Sequence, residues 1–291
     1  MQYCSSMYHP LRKVMVKTPE AAFRSERHLE ENWKRFNYTE KPDYEEAIRE
    51  FDAFLSALRS RVPDISFLPA SDDVGIDSIY AHDPVKFTPG GAIILKSGKE
   101  VRRPEAAVYR AFLESEGIPV IGELTGEARA DGGDIVWLDD RTLLVGRGYR
   151  TNDEAIRQLK ALTAGFTDEF IVVQLPHDQG EEECLHLMSF LSLVDRDLAV
   201  VYSPLMPVFL RQLLIEKGIR LVEVPKEEYD TLGCNVLALA PGVCMLVEGN
   251  PSVKRQLEES GAQVIEYKGN EISLKGTGGP TCLTCPVVRA E

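Results

Sequence analysis

Apolar and polar positions along the chain recur in one order: an apolar strand, a turn, a second apolar strand, a helically spaced segment and a third apolar strand. The clearest copy predicts strands over 135–138 and 142–146 around a turn at 139–141, a helix over 154–162 and a strand over 170–175. Three further copies follow the same plan. They predict 83–87, 92–96, 104–116 and 118–121; then 189–194, 198–202, 207–217 and 220–224; then 235–240, 243–247, 251–260 and 263–267. The first copy is looser, with strands at 13–17 and 65–68, an irregular insertion through Pro42 and a helix over 43–60. A last strand over 282–288 has no helix of its own.

Polar residues mark the entrance of each unit. Asp83 and Asp131 lie 48 residues apart, Asp131 and His186 55, His186 and Asn235 49, and Asn235 and Cys282 47. A period near 50 signals repeated supersecondary units, each too small to bury its own amphipathic helix. The unpaired last strand predicts a ring in which the C-terminus completes the first unit. Equivalent entrances then meet at the axis, which makes Asp83, Asp131, His186 and Cys282 candidates for one shared site.

The chain has 291 residues, 44% hydrophobic and 27% charged, the balance of a globular protein. We expect one catalytic domain over 1–291. The net charge of −13 argues against nucleic-acid binding, which needs basic surface. No apolar run approaches the ~20 residues of a membrane span, and residues 1–17 show no signal-peptide pattern. The expectation is a cytoplasmic protein, with its six cysteines as reduced thiols.

Chemistry concentrates in a few segments. Gly276-Thr277-Gly278-Gly279-Pro280-Thr281-Cys282 is a glycine-rich turn that delivers a cysteine to a strand entrance. A nucleophilic cysteine must be thiolate, so it needs a cationic neighbour. Cys282-Leu283-Thr284-Cys285 also reads as half of a zinc or redox motif, but no second pair follows. No metal or cofactor is expected. His186 sits between apolar residues in Cys184-Leu185-His186-Leu187, and by itself reads equally as a packed core histidine. The preceding Glu181-Glu182-Glu183 reads as a solvated surface run. Asp131-Gly132-Gly133-Asp134 turns two carboxylates inward or simply makes a turn. Asp77 and Asp83, read as strand, share one face with His82 beside them. Carboxylates suit a planar cation with forked N–H donors, and Arg102 and Arg150, each between a strand and a helix, suit a carboxylate.

In this order, Asp77-x5-Asp83, Asp131-Gly-Gly-Asp134, Arg150-Thr-Asn152, Leu185-His186-Leu187 and Thr281-Cys282 resemble the guanidine-modifying (pentein) superfamily, most closely the dimethylarginine dimethylaminohydrolase family. The resemblance runs from about Asp77 to Val288. It implies an α/β fold, a five-bladed pseudo-symmetric propeller of ββαβ units. It implies that Cys282 attacks the guanidinium carbon and that His186 protonates the leaving amine and then activates water. Asp83 and Asp131 would grip the guanidinium, Asp131 also orienting the histidine. Asp77 would be a further substrate acid, and Arg102 and Arg150 would hold the amino-acid carboxylate. The partner implied is a small guanidino substrate, most simply dimethylarginine giving citrulline and dimethylamine; homodimerisation stays open. Arginine deiminase, arginine dihydrolase and amidinotransferase chemistries share these residues, and a non-catalytic binding protein is the reading from another class. The sequence departs from the family at His82, where an acid is common, and at Asp131, where Glu is frequent. Residues 23–44 are the candidate lid over the substrate, with Phe36-Asn37-Tyr38 its tip.

Overall fold

The computed structural model describes residues 3–181 and 185–290. Glu182 and Glu183 of the acidic run, and Cys184, lie outside the described residues. The strands are β1 Leu11–Val16, β2 Asp64–Phe67, β3 Val85–Thr88, β4 Gly91–Ile94, β5 Val120–Glu123, β6 Ile135–Trp137, β7 Thr142–Arg147, β8 Glu169–Gln174, β9 Leu191–Asp195, β10 Leu198–Val201, β11 Arg220–Glu223, β12 Leu237–Ala240, β13 Val243–Val247, β14 Gln263–Tyr267 and β15 Thr284–Arg289. The helices are α1 Pro19–Ala22, α2 Glu26–Asn32, α3 Tyr44–Arg59, α4 Glu105–Ser115, α5 Asp153–Thr163, α6 Val208–Glu216, α7 Lys226–Tyr229 and α8 Pro251–Glu259.

The strands form five three-stranded sheets, ordered β15-β1-β2, β3-β4-β5, β6-β7-β8, β9-β10-β11 and β12-β13-β14. In each, the first pair is antiparallel and the third strand joins the middle one in parallel after a helical crossover. β15 pairs antiparallel with β1, from Leu11 opposite Arg289 to Val16 opposite Thr284. The C-terminal strand therefore supplies the first strand of the first unit and closes the ring. β15 packs on β3 and β9 on β12, first strand against first strand, so first strands face the axis. The molecule is a five-bladed α/β propeller.

Local chemistry explains the elements. Asn152 caps α5 by accepting from the Ala155 amide, Asp153 and Glu154 sit in its first turn, and Ala155, Leu159 and Thr163 form its buried stripe. Asp43 caps α3 through the Glu46 amide. β4 and β10 are buried along their whole length, as strands covered on both faces must be, and both read as continuous apolar runs. The insertion before Pro42 carries two short helices, α1 and α2, rather than being irregular throughout. No helix among the described residues is long and apolar enough to cross a membrane.

Two local expectations are corrected. Ile76–Ile79 is a 3-10 turn, so Asp77 and Asp83 do not share a strand face; β3 starts only at Val85, after Pro84. Cys282 precedes its strand rather than opening it. The Leu283 amide donates to Gly279 O and the Thr284 amide to Thr281 O, and these turn bonds delay the ladder until Thr284.

Candidate active site

Entrances of the five units carry the polar residues: Asp83 before β3, Asp131 and Asp134 before β6, His186 before β9, Asn235 before β12 and Cys282 before β15. The ring brings them together. Two cavities, of about 300 and about 150 Å³, share Asp83, His186, Thr277 and Cys282 as their common wall. The larger is also lined by His82 and Asn235. The smaller is lined by Asp77, Lys99, Arg102 and Arg150, and by Phe36, Asn37 and Thr39 of the candidate lid.

Cys282 is half-buried in its turn. Asn235 Nδ2 donates to Cys282 Sγ at 3.2 Å, and Asn235 Oδ1 accepts from the Thr281 amide at 3.0 Å. Gly279 is required here, because a Cβ on it would come within 2.6 Å of the Asn235 carboxamide. Asn235 was not among the expected site residues, although its place at a unit entrance was the signal for it. A donor to sulfur favours the thiolate. Asn235→Ala is therefore expected to raise the pH at which a haloacetamidine inactivates Cys282 by about one unit, and to lower kcat/KM about tenfold. An unchanged inactivation profile would remove Asn235 from thiolate support.

His186 is held from three directions. Its amide donates to Ser189 Oγ at 3.0 Å, the Leu187 amide donates to Asp134 Oδ1 at 2.9 Å, and its ring Nε2 lies 3.1 Å from Asp131 Oδ2. An ionised carboxylate only accepts, so this network assigns the proton to Nε2. Nδ1 lies on the side of Gly133, where a Cβ would come within 2.5 Å of it. Gly133 itself lines the larger cavity. The diglycine thus lets the imidazole pack against the backbone.

Asp131 is fully buried and lines neither cavity. Its Oδ2 also accepts from Arg150 Nη1 at 3.1 Å and its Oδ1 from the Gly98 amide at 3.0 Å. Burial opposes its charge, but the hydrogen bond and charge of His186 and the Arg150 guanidinium outweigh that and hold its pKa well below the usual range. This geometry makes Asp131 a positioning group behind His186, where a grip on the guanidinium was expected as well. Asp134 is buried too, accepting from Thr151 Oγ1 at 2.6 Å, and burial pushes its pKa up to about 6. Between about pH 4 and 6 the folded chain keeps a proton that the unfolded chain has lost, so this group's contribution to stability falls as pH rises through that window. The fall is about 3 kcal/mol. Asp134→Asn should flatten that part of a urea-denaturation pH series; an unaltered slope would contradict the assignment.

Asp83 faces both cavities. Its Oδ2 accepts from Arg102 Nη1 at 2.6 Å and its Oδ1 from the Gly133 amide at 3.2 Å. Burial alone would raise its pKa; the Arg102 guanidinium and His186 overcome this and keep it below the ordinary value. Arg102 is committed beyond Asp83: its Nε and Nη2 donate to Glu105 at 2.9 Å each, and Nη2 also to Tyr80 O at 2.8 Å. It is thus built in as the support of Asp83, and a substrate carboxylate would have to compete with these bonds. Asp77 is paired with Lys99 at 2.7 Å, and Lys99 also donates to Phe36 O at 2.7 Å, tying the lid tip to the cavity. Lys99 was not foreseen; its place in the loop that leads to Arg102 was the only hint. His82 Nδ1 lies 3.1 Å from Thr284 O, and burial with the charge of Lys86 depresses its pKa to about 3. His82 is therefore neutral and brings no charge to the place where the family often has an acid.

Of the five non-glycine residues with positive φ among the described residues, Asn37, Asp178, Leu232 and Thr277 line these cavities. Such strain collects where function over-determines the backbone. Cys285 is fully buried, and burial raises its thiol pKa. No disulfide joins two of the described cysteines, and no cluster of described residues could hold a metal.

The model of the family described as "N,N dimethylarginine dimethylhydrolase, eukaryotic" matches residues 20–289. The Bacillus subtilis protein YkgA is 30% identical over 289 residues, 99% of this chain and 96% of that protein. The N(G),N(G)-dimethylarginine dimethylaminohydrolase of Pseudomonas aeruginosa is 28% identical over 249 residues, 84% of this chain and 89% of that protein. A Pseudomonas aeruginosa dimethylarginine dimethylaminohydrolase structure complexed with citrulline superposes with a TM-score of 0.77 at 23% identity, covering 95% of this chain and 99% of that one. With the five-unit ring and the residues at its entrances, these similarities establish that the chain belongs to the dimethylarginine dimethylaminohydrolase family of guanidine-modifying hydrolases.

Proposed function

We infer that the whole chain acts as one catalytic domain that hydrolyses the guanidinium group of an arginine-type amino acid, leaving citrulline and releasing the distal nitrogen as an amine. The observation that carries this reading is the common wall: thiol, imidazole and carboxylate stand where two cavities meet, and one of the cavities displays Asp77 and Arg150. An amino-acid head in the smaller cavity puts its guanidinium at that wall. Asp83 pairs with the flat cation, and the cation's charge in turn favours the Cys282 thiolate. Attack on the central carbon gives a tetrahedral adduct. His186 protonates the departing nitrogen, leaving a thiouronium on Cys282, then takes a proton from water as it attacks. Asp131 keeps the imidazole in the needed tautomer and orientation.

Nω,Nω-dimethylarginine is the substrate closest to the family's description, with dimethylamine as the product to look for. Incubation with dimethylarginine and with arginine, followed by quantitation of citrulline, dimethylamine and ammonia, tests the reading. Citrulline with dimethylamine is expected. Ammonia from arginine at a higher kcat/KM would move the substrate to unmethylated arginine. A new guanidino compound would indicate amidinotransfer, and the absence of any guanidine turnover would refute the reading.

A further inference from the structure

The larger cavity lies across the Cys282–His186 wall from the residues suited to an amino-acid head. It measures about 300 Å³, whereas a water needs about 10–15 Å³ of such space, so ammonia or dimethylamine fills only a small part of it. Met188, Tyr229 and Leu232 give it apolar walls, and Asp178 and Asp230 stand exposed at its rim. Tyr229 stacks on Tyr202 with ring centroids 3.9 Å apart and planes 16° apart, which makes that wall rigid. Leu232 is held at φ 65° and Asp178 at φ 47°, left-handed conformations that side chains other than glycine keep only where the surroundings impose them. Neither rim carboxylate has an ion-pair partner among the described residues.

We propose that this cavity is the amine site of the reaction and takes an amine with an apolar body larger than dimethylamine, its far end favoured by positive charge. The inference rests on the hydrolase reading and widens its substrate class. The chemistry balances in either direction. In the first half, the Cys282 S–C bond forms, the bond from carbon to the distal nitrogen breaks, and the departing amine takes a proton from His186. In the second half, water or an amine attacks the same carbon and gives its proton to His186, and the C–S bond breaks to restore the thiolate. One site therefore serves a bulky leaving amine, released from an Nω-alkylarginine, or an incoming amine that converts arginine to an Nω-alkylarginine with loss of ammonia.

The test follows inactivation of the wild-type chain by 2-chloroacetamidine in the presence of ammonium, methylamine, butylamine, hexylamine and 1,6-diaminohexane. Protection of Cys282 should tighten about three- to fourfold for each methylene buried, and the diamine should protect better than hexylamine. In Leu232→Trp, the ratio of hexylamine to ammonium protection should fall towards one; Leu232 already holds a bulky side chain at positive φ, so Trp adds volume without new backbone strain. Asp230→Asn, an exposed substitution, should remove the preference for the diamine. Selective labelling with protection independent of chain length would overturn the amine site and leave the hydrolase reading standing. Labelling of Cys282 no faster than Cys4 would overturn the hydrolase reading itself. Mass spectrometry then separates the two sources: hexylamine and citrulline from Nω-hexylarginine mark a leaving amine, and Nω-hexylarginine from arginine plus hexylamine marks an incoming one. If neither product forms, the proposal falls even with protection intact.

Discussion

Cys282→Ser is expected to lower kcat for guanidine hydrolysis by about 10⁴- to 10⁶-fold, the scale on which loss of a nucleophile registers. The substitution is close to isosteric at a half-buried turn position, and it leaves Asn235 a group to donate to. The loss arises from chemistry. An alcohol is far less acidic than a thiol, and a neighbouring cation and one amide donor do not bring it near ionisation at neutral pH. Both cavities keep their walls, so substrate affinity should change little. A large rise in KM with a modest fall in kcat would mean that residue 282 binds and another group attacks.

The second large effect belongs to a residue that lines neither cavity. Asp131→Asn keeps the shape of the side chain but exchanges one accepting oxygen for a donor. His186 Nε2 and Arg150 Nη1 both donate to Asp131 Oδ2 at 3.1 Å, so an amide NH2 placed there opposes both, and the amide turned the other way opposes the Gly98 amide at Oδ1. The imidazole then favours the wrong tautomer, and kcat should drop by about 10⁴-fold, as expected when a histidine loses the carboxylate that orients it. Removing one member of a buried ion pair also costs about 3–5 kcal/mol of stability, read as a lower urea midpoint. A merely structural role would lower stability with little change in kcat of the remaining folded enzyme. A positioning role lowers kcat and displaces the acidic limb of its pH profile.

The repeat was legible because the pattern is local: each unit carries its own alternation and its own helix, and only ring closure by β15 requires the whole chain. The entrances were legible for the same reason, and spacing alone aligned Asp83, Asp131, His186 and Cys282. The direction in which each side chain points was not. Asp77 read as strand lies in a 3-10 turn, and the turn bonds around Pro280 hold Cys282 off the ladder. Arg102 read as a ligand for carboxylate is bound to Asp83 and Glu105, and that partnership between positions 83 and 102 appears only when β3 and β4 pair. Lys99 and Asn235 carry no motif. Lys99 reaches Asp77 from one loop to another, and Asn235 reaches Cys282 across units, so sequence periodicity indicates the neighbourhood and leaves the bond unseen.

Intact-protein mass spectrometry under rapid acid quench, with the chain turning over a guanidino substrate, tests the covalent step most directly. A mass increase equal to substrate minus its leaving amine, mapped to Cys282 and absent from Cys282→Ser, is the predicted result. Turnover of the same substrate with no adduct at residue 282, or with the adduct on another cysteine, would contradict it.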